Sequence, residues 1–288
     1  LASFLLDRPA GISTGTGEIN MTRVGRWGSV LLLMLVGVPA VADAQIVQSV
    51  QIGTGWFMPK GFDSRATGDV LVANLTQGDL INGASGALRY RACFPDPFEA
   101  PCSDVSDFRF WNVSGEWNFA FSDRLEASAG LAYYMRTVPS EYREQANSER
   151  NNAAIEQRNK LRQIPFTGVA RFLPFGRPGS VQPYVGAGIA IVSFRYSETG
   201  EFIDPSDLTI FPATYSATGT AVGPVILGGV RLPVRGDIYA FTIEGRYQMV
   251  EGKLPSSQAC ELDPTKCFFG SKIDLGGGSI NFGVLIRF

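Results

Sequence analysis

Ile280-Asn281-Phe282-Gly283-Val284-Leu285-Ile286-Arg287-Phe288 alternates without a break. Ile280, Phe282, Val284, Ile286 and Phe288 fall on one face, and Ser279, Asn281, Gly283, Leu285 and Arg287 fall on the other. Side chains of a strand alternate sides, so this segment is apolar on one face and small, polar or charged over most of the other. A sheet in water rarely leaves so apolar a strand at an unprotected end, because a free edge invites aggregation. A closed barrel in a lipid bilayer needs such a strand, since lipid solvates its outer face and closure satisfies its backbone. The expected fold is therefore all-β, an eight-stranded antiparallel up-and-down transmembrane barrel.

Seven further segments carry strand patterning. The first is Ile46 to Met58, with Val50, Ile52, Thr54 and Trp56 facing out. The second is Phe108 to Phe121, with Trp111, Val113, Gly115, Trp117, Phe119 and Phe121 outward and Asn112, Ser114, Glu116, Asn118 and Ala120 inward. The third, Arg124 to Thr137, alternates Leu125, Ala127, Ala129, Leu131, Tyr133 and Met135 with Glu126, Ser128, Gly130, Ala132, Tyr134 and Arg136. Gln163 to Leu173, Gln182 to Tyr196, Thr218 to Leu232 and Ile238 to Val250 complete the set. In the fifth and sixth, small and apolar residues occupy both faces, so their facing stays open. Pro224 inside the sixth argues for a bulge or a frayed end.

Connections between these segments alternate strictly between short and long. Ser122-Asp123, Pro174 to Val181 and Pro233 to Asp237 are short, whereas roughly 60–106, 138–162, 197–217 and 251–271 are long. Short periplasmic turns and long extracellular loops are the asymmetry of outer-membrane barrels. Ser140 to Leu161 is dense in Glu, Arg, Asn, Gln and Ala, which fits a solvated loop or a short exposed helix. Asp69 to Leu75 (DVLVANL) is apolar enough to fold back over the barrel mouth as a lid, although a strand extension above the membrane is the preferred expectation.

Near the other end, Arg23 and Arg26 precede an apolar run of ten residues, Ser29 to Val38, and Ala42-Asp43-Ala44 follows. Charged, apolar and small-residue regions in this order make a secretory signal peptide. A membrane anchor fits less well, because ten residues span only about 15 Å as a helix. Residues 21–44 are read as the signal peptide, 45–288 as the barrel domain and 1–20 as over-extended translation. Net charge of −2 offers no electrostatic case for nucleic acid. With no histidine in the chain, the usual general base and the commonest metal ligand are missing. A serine helped by histidine is thus ruled out, no motif supports another catalytic site, and the chain reads as a non-enzyme without cofactor or metal. Gly276-Gly277-Gly278 is no phosphate loop, since no helix follows, and instead suits a bulge or crowded crossing. Arg235-Gly236-Asp237 reads as ordinary turn chemistry.

Four cysteines fall in two close pairs, Cys93 with Cys102 and Cys260 with Cys267, both in long loops. Export into an oxidising compartment favours two local disulfides, and pairing between the two loops is the alternative. Each local loop of roughly ten residues would be stabilised by about 2–3 kcal/mol in the chain-entropy view.

Strand parity sends Glu116, Glu126, Glu244, Arg136, Arg246 and Arg287 into the lumen, and Arg171 and Arg231 join them. Glu116, Glu244 and Arg246 are expected near mid-height, with Glu126, Arg171, Arg231 and Arg287 near the periplasmic rim. An eight-stranded barrel is barely wide enough for its own side chains. These charges must then be paired or hydrated, either as a packed polar core or as a narrow gate.

The terminal Phe288, with Ile286, Val284 and Phe282, resembles the C-terminal assembly signal of bacterial outer-membrane barrels. Pro183-Tyr184-Val185-Gly186-Ala187-Gly188 after a short turn, with Ile164-Pro165-Phe166 before it, resembles the outer membrane protein W type of barrel. That resemblance implies a monomeric eight-stranded barrel proposed to pass small hydrophobic molecules, in the outer membrane of a Gram-negative-type cell. The assembly signal implies the general outer-membrane assembly machinery as a folding partner. This sequence departs from the pattern in its longer loops, paired cysteines and charged inward positions. Three roles are expected: structure or small-solute passage, surface recognition through disulfide-braced loops, and a soluble secreted carrier of an apolar ligand.

Overall fold

The computed structural model describes residues 46–76, 79–81, 84–85, 87–90, 105–204, 207–234, 238–255 and 268–288. The segments 1–20 and 21–44 and the Arg235-Gly236-Asp237 tripeptide lie outside the described residues. The two expected disulfides are not seen among the described residues, because Cys93, Cys102, Cys260 and Cys267 all lie outside them. Pairing of Cys93 with Cys102, and of Cys260 with Cys267, therefore rests on sequence spacing alone.

The principal strands are β1 (Val47–Pro59), β2 (Phe110–Ala120), β3 (Leu125–Asn147), β4 (Ala153–Phe172), β5 (Gln182–Ile203), β6 (Ile210–Val234), β7 (Tyr239–Gln248) and β8 (Gly277–Arg287). Each pairs antiparallel with the next. β8 returns to β1 in an unbroken register from Ser49↔Arg287 to Pro59↔Gly277, which closes the ring. Closure leaves no free edge, as a sheet in lipid requires.

Parity decides which face of each strand meets lipid. On β8, Ile280, Phe282, Val284 and Ile286 are exposed while Asn281 and Leu285 are buried. The same facing holds on the other strands: Ile52 and Trp56, Trp111 and Trp117, Leu131 and Tyr133, Phe166 and Phe172, Ile189 and Ile191, Val222 and Ile226, and Phe241 and Ile243 are all exposed. On β4 the apolar stretch runs from Ile164 to Phe172. Nine residues at about 3.3 Å each, tilted by about 40°, give a height of about 23 Å, close to the apolar band of an outer-membrane barrel. The facing of β5 and β6 is decided too: Gln182, Tyr184, Ala190, Val192, Phe194 and Tyr196 turn inward, as do Ala221, Val225, Leu227 and Arg231. A soluble carrier of an apolar ligand needs the opposite arrangement, an apolar lumen and a polar exterior.

Two expected loops are strand instead. β3 and β4 continue to Asn147 and from Ala153, and β5 and β6 continue to Ile203 and from Ile210. The composition of 138–162 looks loop-like because only one face is charged. Val138, Ile155, Asn159 and Leu161 are buried inside, whereas Arg158 and Lys160 face water. The β3–β4 hairpin turns at Asn151 and Asn152, whose φ values of 54° and 60° lie in the left-handed region that asparagine tolerates. The fourth loop begins with a short ladder, Glu251–Lys253 on Lys272–Asp274.

Asp69 to Leu75 gives the third correction. The segment forms a helix, α1 (Val70–Thr76), not a strand extension. Asp69 caps it, accepting from Leu71 N at 3.1 Å and Val72 N at 3.2 Å. Pro224 causes no bulge in β6, whose register to β5 runs straight through it. The irregularity falls on the neighbour: pairing of β6 to β7 ends at Val225↔Gln248, and Met249 N then donates to Pro224 O at 3.0 Å. Of the triple glycine, Gly277 packs against β1, where an added Cβ would lie 2.3 Å from Met58 O.

Phe282 sits mid-belt on β8, between Thr54 and Ile243. Phe282→Arg should destabilise the barrel by about 2–4 kcal/mol, read by urea unfolding in lipid vesicles. In a barrel surrounded by water this exposed position would tolerate the change.

Candidate functional site

The interior has two storeys. The lower one is charged and is built from positions whose outer neighbours face lipid. Arg171, on β4, donates from Nη2 to Glu116 Oε2 on β2 at 2.7 Å and to Glu244 Oε2 on β7 at 2.8 Å. Its Nη1 bonds Asn118 Oδ1. Arg246 meets Glu244 Oε1 at 2.8 Å and Glu116 Oε2 at 3.3 Å, and donates to Thr167 Oγ1 at 3.3 Å. Tyr184 OH donates to Glu244 Oε2 at 3.0 Å. Below this group, Arg231 pairs with Glu126 at 2.7 Å across the bore from β6 to β3. The Tyr184 ring lies between the two levels, with the Arg171 guanidinium 5.1 Å and the Arg231 guanidinium 4.9 Å from its centre. Aromatic faces attract such cations.

Six of the eight expected lumen charges therefore form one stacked assembly in which Glu116, Glu126 and Glu244 balance Arg171, Arg231 and Arg246. The other two stand apart. Arg287 donates to Gln182 Oε1 at 2.6 Å. Arg136 donates to Asp107 O at 3.2 Å and lies 4.7 Å above the Phe110 ring, near the extracellular end. Arg171 is expected near the rim, and its backbone is indeed in register with Glu126. Its side chain instead rises to join Glu116 and Glu244.

The upper storey is apolar. Val70, Leu71 and Leu75 of α1 are buried in one cluster with Phe57, Phe108, Tyr134, Phe194 and Tyr196. The helix is pinned electrostatically. Arg65 grips Asp69 at 2.8 and 3.0 Å and donates to Asp274 O at 2.7 Å. Lys60 meets Asp274 at 3.0 Å. Between the storeys remains a cavity of about 40 Å³, bordered by Phe57, Tyr134, Gln163, Arg246 and Gln248. That is room for one or a few waters.

Sequence reasoning missed a buried carboxyl above the membrane belt. Glu198, on the β5 extension, is 2% exposed. It accepts from Asn74 Nδ2 of α1 at 2.7 Å and from Tyr196 OH at 2.7 Å, with no cation in an ion pair among the described residues. Parity could have placed it inside, since it continues the inward series of Phe194 and Tyr196. Burial pushes its pKa above the ordinary 4.5, and the Asn74 and Tyr196 hydrogen bonds oppose that rise.

With these geometries in hand, comparison with known proteins adds a likeness of shape. No protein-family model matches the sequence, and no curated protein matches it. Among solved structures, the chain is similar to Ail, the attachment invasion locus protein of Yersinia pestis: 11% identity over 84% of this chain and 99% of that one, TM-score 0.39. It is similar to Neisserial surface protein A, at 13% identity over 84% and 96%, TM-score 0.36. It is also similar to the N-terminal β-barrel domain of Pseudomonas aeruginosa OprF, at 15% identity over 85% and 100%, TM-score 0.33. At that similarity no activity transfers from them to this chain.

Two outcomes follow from the interior. Arg171→Met leaves two buried carboxylates to the one guanidinium of Arg246 and should cost about 3–5 kcal/mol in urea unfolding. Neutralising one carboxylate as well, with Glu116→Gln, restores the charge balance with the Glu244–Arg246 pair and should recover a large part of that loss. The second outcome concerns pH. The unfolded Glu198 carboxyl loses its proton near 4.5, whereas the folded one still holds it. Its contribution is therefore intact below 4.5 and is lost as pH rises from there to the raised value. Hydrogen exchange of the 70–76 amides, corrected for intrinsic rate, should show weakening protection over that window. Glu198→Gln should flatten the dependence.

Proposed function

We propose that this chain is an outer-membrane barrel of a Gram-negative-type cell that is closed to solutes and serves as a rigid anchor presenting its extracellular hairpins. The exposed apolar belt supports the membrane location. The observation that carries the closed lumen is Arg171, which ties β4 to β2 and β7 across the bore at 2.7 and 2.8 Å. The Arg231–Glu126 pair and α1 add a second and a third obstruction.

Passage of small hydrophobic molecules, the role suggested by the resemblance to outer membrane protein W, finds less support. An apolar solute entering along the axis would have to displace α1 and then desolvate three acids and three bases, which is costly on both counts. Surface recognition is better served. The β3–β4 and β5–β6 hairpins rise well beyond the belt. The proposed disulfides of Cys93 with Cys102 and of Cys260 with Cys267 would brace the first and fourth loops. On this reading the barrel is a monomer, delivered by the signal peptide of residues 21–44 and inserted by the outer-membrane assembly machinery that reads Phe282, Val284, Ile286 and Phe288.

Planar-bilayer recording tests the reading. After a heat-dependent gel shift has shown that the protein is folded, the parent, Glu244→Gln and Arg246→Met should all be electrically silent. Discrete single-channel openings in the parent would return the function to solute passage, with the Glu/Arg assembly as its gate.

A further inference from the structure

The outward face of β4 changes character at one point. Ile164, Phe166, Ala170 and Phe172 belong to the belt, and then Arg162, Lys160 and Arg158 follow at every second position. On β5 the outward series Ile189, Ile191 gives way to Ser193 and Arg195. The register sets Arg162 directly opposite Arg195, with Met135 on its other side, and sets Lys160 between Thr137 and Ser197. Like charges directly opposite each other in a ladder are destabilising. Yet none of Arg158, Lys160, Arg162 and Arg195 has an ion-pair partner among the described residues, and the buried Nε of Arg162 has no hydrogen-bond partner. The acids nearby do not serve them. Glu198 faces inward to Asn74 and Tyr196, Glu201 is taken by Arg150 at 2.6 Å, and Glu156 lies beyond Arg158 at the far end of the column.

Lys160, Arg162 and Arg195 line a cleft of about 230 Å³ with Tyr133, Met135 and Ser197. Below it on the same three strands, Leu131, Phe166 and Ile191 stand in one row of the belt and are exposed. An occupant must be anionic at the water boundary and apolar immediately beneath it. Guanidinium forks suit phosphate oxygens, and a lysine adds a compact point charge. We propose that the Lys160–Arg162–Arg195 cleft binds the phosphorylated headgroup of a lipid in the extracellular leaflet, whose acyl chains lie along Leu131, Phe166 and Ile191. The anion relieves the Arg162–Arg195 repulsion and anchors this side of the barrel at a fixed depth. The proposal rests on the outer-membrane reading above.

The test uses the full chain folded in phosphatidylcholine nanodiscs doped with diphosphorylated lipid A or with its dephosphorylated form. Bound lipid is counted by native mass spectrometry. The parent should retain the phosphorylated lipid, and Lys160→Gln/Arg162→Gln/Arg195→Gln should lose that retention by about tenfold or more. Arg124→Gln/Arg177→Gln, at the opposite rim, should keep it. In plain phosphatidylcholine the triple variant should be at least as stable as the parent, because two opposed charges have gone. Equal retention by the triple variant, or of the dephosphorylated lipid, overturns the site. Displacement by excess inorganic phosphate would make it a free-anion site and overturns the lipid assignment. Insertion, read separately by the gel shift, distinguishes the two levels. A barrel that inserts without selectivity sinks only this proposal, whereas one that never enters lipid sinks the membrane reading with it.

Discussion

A ring of eight strands encloses a bore no wider than its own side chains, so charged groups inside must pair with one another. Arg171 meets that demand most fully. It is 1% exposed, springs from β4, and holds carboxylates on β2 and β7, neither of which pairs with β4. Its value is as much in specificity as in energy. A slip of one residue in β2 would turn Glu116 to the lipid and Trp117 into the bore. Lipid penalises the first, and the narrow lumen cannot hold the second. A slip of two residues keeps that facing but parts Glu116 from Arg171, so the charged storey fixes the register that the alternating pattern alone leaves degenerate.

The apolar storey answers a different constraint. Above the membrane the wall continues as β3–β6 extensions whose inner faces carry Val138, Leu161, Phe194 and Tyr196, all buried. An open tube lined this way would hold water against hydrocarbon. α1 fills it with Val70, Leu71 and Leu75, and Asp69 and Asn74 at the helix's polar positions are met by Arg65 and by Glu198. The helix is only seven residues long, too short to persist by propensity, so its stability is that of the socket.

Legibility in the sequence follows from these two environments. Where lipid lies outside and polar side chains line the bore, the facing of β2, β3, β7 and β8 can be read residue by residue, whereas β5 and β6 carry small and apolar residues on both faces and hide theirs. Where water lies outside, charged residues such as Arg158 and Lys160 mask strand as loop, and the hairpins beyond Thr137 and Tyr196 are lost to composition. Parity shows which residues face the lumen but not which ones meet: Arg171 lies opposite Glu126 along the backbone, yet its long side chain carries its charge upward. DVLVANL is too short for a period to separate helix from strand. The decisive hint is Asp69, a capping residue directly before the apolar run.

Charge is distributed differently on the two sides of the wall. Inside, three acids balance three bases, most of them buried, so these pairings are screened much less by salt than surface pairs. Outside, Arg158, Lys160, Arg162 and Arg195 stand together without an ion-pair partner among the described residues, where β4 and β5 leave the belt. An unbalanced cluster at a water boundary depends on what the surroundings supply, and it strengthens or weakens with salt and with lipid charge. The barrel therefore carries its structural electrostatics within itself and leaves its outer cations for the leaflet to neutralise. That division explains why the bore can be rigid while the outer surface remains responsive to its membrane.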